Sequence, residues 1–263
     1  MQQEQLHALA LLPGSWTSRP AAAVLAQSGN ELAALQAFQA LADASWLVVQ
    51  PGNPSRYRLL ESMKAFIQAR TTEGQRRTAL NRLWDFWEQE LRDQPEIDDT
   101  SYRLEVIDRD LESLRVVLDD GLTDPLRALD MLQSASIYFD FRGLAAECVT
   151  RIGALLESLP PDTPRPSRAL LTYASSAIWL KEYALAQSAL EEVLTREKDT
   201  STNIGQPYLL GTLGVCLRYQ GDLVRAEECH REALRHHTRP VQKGLENMRL
   251  GVVLRARQPP RSA

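Results

Sequence analysis

The most constraining stretch is Tyr208 to His237, YLLGTLGVCLRYQGDLVRAEECHREALRHH. Leu210, Leu213, Gly214 and Leu217 recur at the spacing of one helix face. Gly221 stands where a helix ends in a left-handed residue, and Asp222 follows as a cap for the next helix. Leu223, Ala226, His230, Ala233 and Leu234 then repeat the helical face. Two helices joined by a Gly-Asp corner are predicted, with Gly214, Ala226 and Ala233 letting the backbones approach closely. One such hairpin cannot bury its apolar face alone, so it implies neighbours of the same kind.

Those neighbours are visible upstream. Leu170, Tyr173, Ala174 and Ala177 lead into Tyr183, Ala186, Leu190 and Val193, with Ala186 in the place of Ala226, 40 residues earlier. An extended corner at 199–206 accounts for the excess over a period of about 34. A more degenerate copy runs through Leu132, Ala135, Ser136 and Phe139, then Gly143, Cys148, Ile152 and Leu155. Gly244 to Arg257 reads as the opening helix of a fourth, which either caps the stack or belongs to a longer array.

The first 70 residues follow another rhythm. Helices are expected at Leu6–Leu12, Pro20–Gln27 and Glu31–Ala44, broken by Pro13-Gly14 and Gly29-Asn30. Trp46-Leu47-Val48-Val49 and Arg56-Tyr57-Arg58-Leu59 then read as strands around the turn Pro51-Gly52-Asn53-Pro54. A helix follows from Glu61, with Met63, Phe66 and Ile67 inward. Three helices and a β-hairpin make a winged helix-turn-helix arrangement. Residues 71–123 read as a helical linker. Arg76–Leu91 carries Leu80, Leu83, Trp84 and Trp87 on one stripe, 95–100 forms an acidic loop, and Tyr102–Leu118 turns Leu104, Ile107, Leu111, Leu114 and Leu118 inward. The expected fold is mostly α: a winged helix over 1–70, the linker, and repeats over 124–263.

Composition limits the function. The net charge is -4, which argues against a general nucleic-acid binder, because phosphate contact needs a basic surface. The third helix, in the place of a DNA-recognition helix, has polar residues Glu31, Gln36, Gln39 and Asp43 and no Lys or Arg; only Arg56 and Arg58 make the wing basic. The four arginines from Arg249 to Arg261 fall in a short Pro-rich tail read as a frayed end. Three cysteines, Cys148, Cys216 and Cys229, lie in apolar helical patterns and fit reduced thiols in a cytoplasmic protein. No apolar run reaches the roughly 20 residues of a membrane span, so no membrane partner is expected. The opening MQQEQLHALALLPGSW has no basic flank before its apolar run and does not read as a signal peptide.

No catalytic elbow, zinc-protease helix or phosphate loop is present. His236 and His237 point about 100° apart on a helix, so no shared metal site is expected; the histidines read as a polar helix end near the C-terminal dipole. Asp and Glu follow solvated helix faces. The chain is therefore expected to be non-enzymatic, without metal or cofactor.

The Gly-Asp hairpin resembles a tetratricopeptide (TPR) repeat, with His230 replacing the usual aromatic or Leu. Over nearly its whole length the chain resembles the C-terminal part of the STAND signal-transduction ATPases, bacterial regulators of the maltose-activator type. The resemblance rests on FQALADASWLVV (38–49), RYRLLESMKAFI (56–67) and RDLESLRVVL (109–118), in that order, with Ser113 replacing the family's Asn. It implies a winged helix acting as a hinge and a TPR-like sensor arm. It also implies an ATPase domain as partner, here on a neighbouring chain, because the nucleotide-binding domain is missing. A truncated remnant of such an ATPase, or a DNA-binding regulator using the winged helix, are the alternative readings.

Stacked hairpins line a hollow face with the first helix of each repeat. The groove candidates are Ile137, Asp140 and Phe141 in the first repeat, and Arg168, Leu171, Ser175, Ile178 and Trp179 in the second. In the third they are Tyr208, Val215, Arg218 and Tyr219. Phe141, Arg168, Trp179, Tyr208, Arg218 and Tyr219 stand out, because aromatics and arginines dominate binding hot spots and arginine suits carboxylates. A protein segment or a small effector is the expected partner.

Overall fold

A computed structural model describes residues 2–25, 31–92, 100–197, 206–237 and 239–257. The described residues are mostly helical, with thirteen α-helices and one two-stranded sheet. They divide into two compact units, 1–138 and 139–263.

The first unit opens with α1 (Gln2–Leu9), α2 (Ser18–Val24) and α3 (Glu31–Asp43). The antiparallel pair β1 (Leu47–Gln50) and β2 (Arg56–Leu59) follows, with Leu47 opposite Leu59. Then come α4 (Glu61–Gln68), α5 (Glu73–Arg92), α6 (Thr100–Asp119), a single 3-10 turn and the start of α7 (Pro125–Phe141). Trp16 exchanges backbone hydrogen bonds with Tyr57 at 2.8 and 2.9 Å. Its ring lies 5.8 Å from Tyr57 and 5.7 Å from Phe38, and these three rings join α3 to β2. The expected stripe of α5 is buried: Leu80, Leu83, Trp84 and Trp87 all leave solvent. The breaks expected at Gly29-Asn30, most of 95–100 and most of 199–206 lie outside the described residues.

Several local expectations are corrected. Phe66 does not face inward with Ile67; it is exposed, with the Arg70 guanidinium 3.6 Å above its ring. Arg56, one of the two basic residues of the wing, donates to Ser15 Oγ at 2.9 Å and to the carbonyls of Ser15 and Arg109. α6 is kinked at Asp110, whose backbone is non-helical (φ -138°, ψ 33°). The Asp110 carboxylate is buried and accepts from Thr17 N–H at 2.9 Å and from Thr17 Oγ1 at 2.5 Å. Not every acidic residue follows a solvated face: Asp110, Glu227 and Glu246 are all buried.

The second unit holds the end of α7, then α8 (Ala145–Ser158), α9 (Ser167–Trp179), α10 (Tyr183–Glu197), α11 (Gln206–Gln220), α12 (Leu223–His236) and α13 (Pro240–Arg257). From α8 on, each helix packs against the next, and α9 touches α11 as α11 touches α13.

Candidate functional site

Three helices of the second unit end in the same way. After α7, Leu144 N–H donates to the Phe139 carbonyl at 2.7 Å and Gly143 N–H to Asp140 at 3.3 Å. After α9, Glu182 bonds Ala177 at 2.9 Å and Lys181 bonds Ile178 at 3.0 Å; after α11, Asp222 bonds Leu217 at 2.9 Å and Gly221 bonds Arg218 at 3.1 Å. Gly143, Lys181 and Gly221 all have positive φ, of 71°, 64° and 88°. Each corner is a Schellman cap, a left-handed residue that satisfies the last carbonyls and turns the chain. Five residues after each left-handed residue comes a fully buried small side chain, Cys148, Ala186 or Ala226. Four further on, Ile152, Leu190 and His230 are buried in turn. The three pairs are therefore in one register over spacings of 38 and 40 residues.

Each corner carries an aromatic side chain two residues before the left-handed position: Phe141, Trp179 and Tyr219. They stay in solvent, at 65%, 63% and 51% relative exposure. Packing explains the pattern, because the residue two positions before each aromatic, Phe139, Ala177 or Leu217, is buried and the aromatic falls on another side of the helix. Tyr208, in the first turn of α11, is also exposed, as is Arg168 in the first turn of α9. Arg218 stacks over Tyr219 at 3.9 Å, and Tyr183 lies parallel to Tyr219 with 4.9 Å between centroids. Arg218, Tyr219 and Tyr183 thus form one stacked group. Sequence reasoning placed Tyr183 inside the hairpin and missed this role; nothing in the helical spacing marks it. Ile137 is exposed, while Asp140, Leu171, Ser175, Ile178 and Val215 are half-buried. Asp140 accepts from Ser176 Oγ at 2.8 Å. Its burial raises the carboxyl above the ordinary aspartate value, and the Ser176 hydroxyl partly offsets this.

Of the histidines read as a polar helix end, His236 stays exposed in the last turn of α12, 2.9 Å from Glu232, whereas His230 and His237 are buried. His230 is fully buried, and its Nδ1 is hydrogen-bonded to Glu246 on α13. Glu246 also accepts from Arg249 at 3.2 Å, and His237 Nε2 lies 4.0 Å from it. His230 fills the space over Gly214: a Cβ there would meet its ring atoms at 2.7–2.9 Å, so the helices close only around glycine. His230 Nε2 has no hydrogen-bond partner. A proton on Nδ1, donated to the carboxylate, leaves Nε2 a bare acceptor, which is the cheaper group to bury. Burial pushes the Glu246 carboxyl up, but His230 and then Arg249 outweigh it and hold it below the ordinary glutamate value. Glu227, also buried, pairs with Arg231 and with Arg257 of α13. Glu246 could have been suspected from its phase, seven residues before buried Val253 on the same face.

Burial raises the thiols of Cys148 to about 12 and of Cys216 and Cys229 to about 11, which leaves little reactive thiolate at neutral pH. Among the described residues, no group of three His, Cys, Asp or Glu could hold a metal ion, and no helix is long and apolar enough to cross a membrane. Compared with protein-family models, with curated proteins and with solved structures, the chain matches none of them.

Proposed function

We propose that this chain is a non-enzymatic interaction module, in which three TPR-like helix pairs bind a protein segment or small effector through the aromatic side chains beside their corners. The observation that carries the reading is the recurrence of Phe141, Trp179 and Tyr219 at one place in three equivalent caps, each left in water. Large exposed aromatics at regular intervals are costly to leave solvated and are the residue types on which binding energy concentrates. Arg168 and Arg218 favour a ligand bearing carboxylates, because a guanidinium binds them through two parallel hydrogen bonds. In this reading the first unit is a winged-helix hinge of the STAND type. The ligand would shift its position against an ATPase domain of another chain, which requires different affinities for the two states.

The test is affinity capture with the full chain, followed by identification of the retained partners. Trp179→Ala and Arg218→Ala are each expected to lose at least tenfold of partners that a Leu122→Ala control retains, since Leu122 is exposed in the first unit. Equal recovery by all variants refutes the reading.

A further inference from the structure

The cations of the second unit divide by helix. Every arginine on α8, α10 and α12 has a carboxylate within the chain: Arg151 with Glu147, Arg196 with Glu192, Arg225 with Glu191, Arg231 with Glu227 and Arg235 with Glu232. The one arginine of α9, Arg168, and the one of α11, Arg218, have no carboxylate among the described residues, and neither has Lys181 at the corner between α9 and α10. Arg168 lies at the far end of α9 from its corner. The other two stand beside exposed aromatics, Lys181 two residues after Trp179 and Arg218 next to Tyr219.

The corners are also neighbours. Asp140, next to Phe141, accepts from Ser176, three residues before Trp179. Tyr183, two residues past the second corner, is stacked on Tyr219 near the third. α9 touches α11, and the axes of packed helices lie about 8–10 Å apart, so the corners follow one another at about that step. An extended ligand running along them must return one side chain to the same face at the same interval. A β-strand returns after about 6.6 Å, which is too short. An α-helix returns every 5.4 Å or so, and alternate turns would fall between corners. A polyproline II helix, with three residues per turn at about 3.1 Å each, returns after about 9.3 Å and matches the step. Its proline rings are also what flat aromatic surfaces bind, and it has little conformational freedom left to lose.

We propose that the aromatic corners take an acidic, proline-rich segment of a partner protein in the polyproline II conformation, one turn to each corner. A proline of each triplet packs on Phe141, Trp179 or Tyr219, and carboxylates on a second edge meet Lys181 and Arg218. This inference rests on the corners being the binding surface, and it names what they bind.

The probe is a fluorescein-labelled peptide of five Pro-Pro-Glu triplets, titrated with the full chain and read by anisotropy. Saturable binding that weakens with added salt is expected. Trp179→Ala and Arg218→Ala should each weaken it at least tenfold, while Trp179→Phe, which keeps a ring, should retain most of it and Leu122→Ala all of it. Thermal melts verify that each variant folds. A peptide of equal charge built from Pro-Pro-Pro-Glu puts successive carboxylates on different edges and should bind at least tenfold more weakly. Equal binding of the two peptides overturns the inference, as does tighter binding of a helical Glu-Ala peptide of the same charge. Absent binding of the triplet peptide overturns it as well. If Trp179→Ala nevertheless loses its captured partners, the corners bind a ligand of another kind and the proposed function stands without this inference.

Discussion

Replacing Glu246 by glutamine removes one charge from the most buried ion pair of the second unit while keeping the side chain's shape. In the wild type Glu246 neutralises Arg249, accepts from His230 and sits over Gly211, where a Cβ would lie 2.6 Å from its Oε2. Glutamine cannot satisfy both partners as an anion, and the tight seat over Gly211 prevents it from moving aside. Breaking a buried pair by removing one member costs about 3–5 kcal/mol. Arg249 is a quarter exposed and can turn toward water, which places the cost at the lower end, about 3 kcal/mol. With a urea dependence of about 2 kcal/mol/M, the unfolding midpoint should fall by about 1.5 M. Circular dichroism of the full chain in urea is the assay. The double variant with His230→Leu should show a coupling of about 1–3 kcal/mol, since the two residues share one hydrogen bond. The dependence on acid has a definite sign. Glu246 is held below the ordinary glutamate value in the folded chain, so between the two values the unfolded chain binds more protons. Its contribution is complete above the ordinary value and is lost as pH falls through the folded one. Glu246→Gln should therefore flatten the acid side of the stability profile. A midpoint shift below about 0.3 M at neutral pH, equivalent to about 0.6 kcal/mol, would refute the assignment of His230 and Glu246 as a stabilising pair.

Two equivalent glycines should respond oppositely to alanine. Gly251→Ala, in open space, is expected to raise stability by about 1 kcal/mol through helix propensity alone. Gly214→Ala must displace the pinned His230 ring, an overpacking cost of about 1–3 kcal/mol that exceeds the propensity gain, so melts should show a net loss. Asp110→Ala strands the buried Thr17 N–H and hydroxyl and should cost about 3 kcal/mol in urea unfolding of the first unit. Lys181→Gly relieves the one corner that lacks glycine and should raise the melting temperature, corresponding to about 0.5–1 kcal/mol.

The corner at Lys181 carries no glycine and came only from the structure, whereas the sequence by itself determined the helical period, the Gly221-Asp222 corner and the small residues behind it. These are local properties: a left-handed C-cap, an N-cap and an i, i+3, i+4 stripe are written within a few residues of one another. Gly221-Asp222 announced its turn, and Asp222 indeed caps α12 through the Arg225 N–H at 3.1 Å. Aromatics beside the corners were also legible, because their phase on each helix set them apart from the buried stripe. Other features depended on elements distant in the chain. Whether His230 was a surface residue or a core one was decided by Glu246, sixteen positions away on another helix, since an imidazole can be buried only with a partner for its proton. Arg56 read only as a basic residue of the wing, and tertiary packing set its guanidinium against Ser15 and the Arg109 carbonyl. Asp110 read as one more solvated acid until Thr17 supplied the donors that let it leave water. Helical spacing determines which side of a helix is apolar; which polar group can afford burial is set by the donor or acceptor that tertiary packing brings against it.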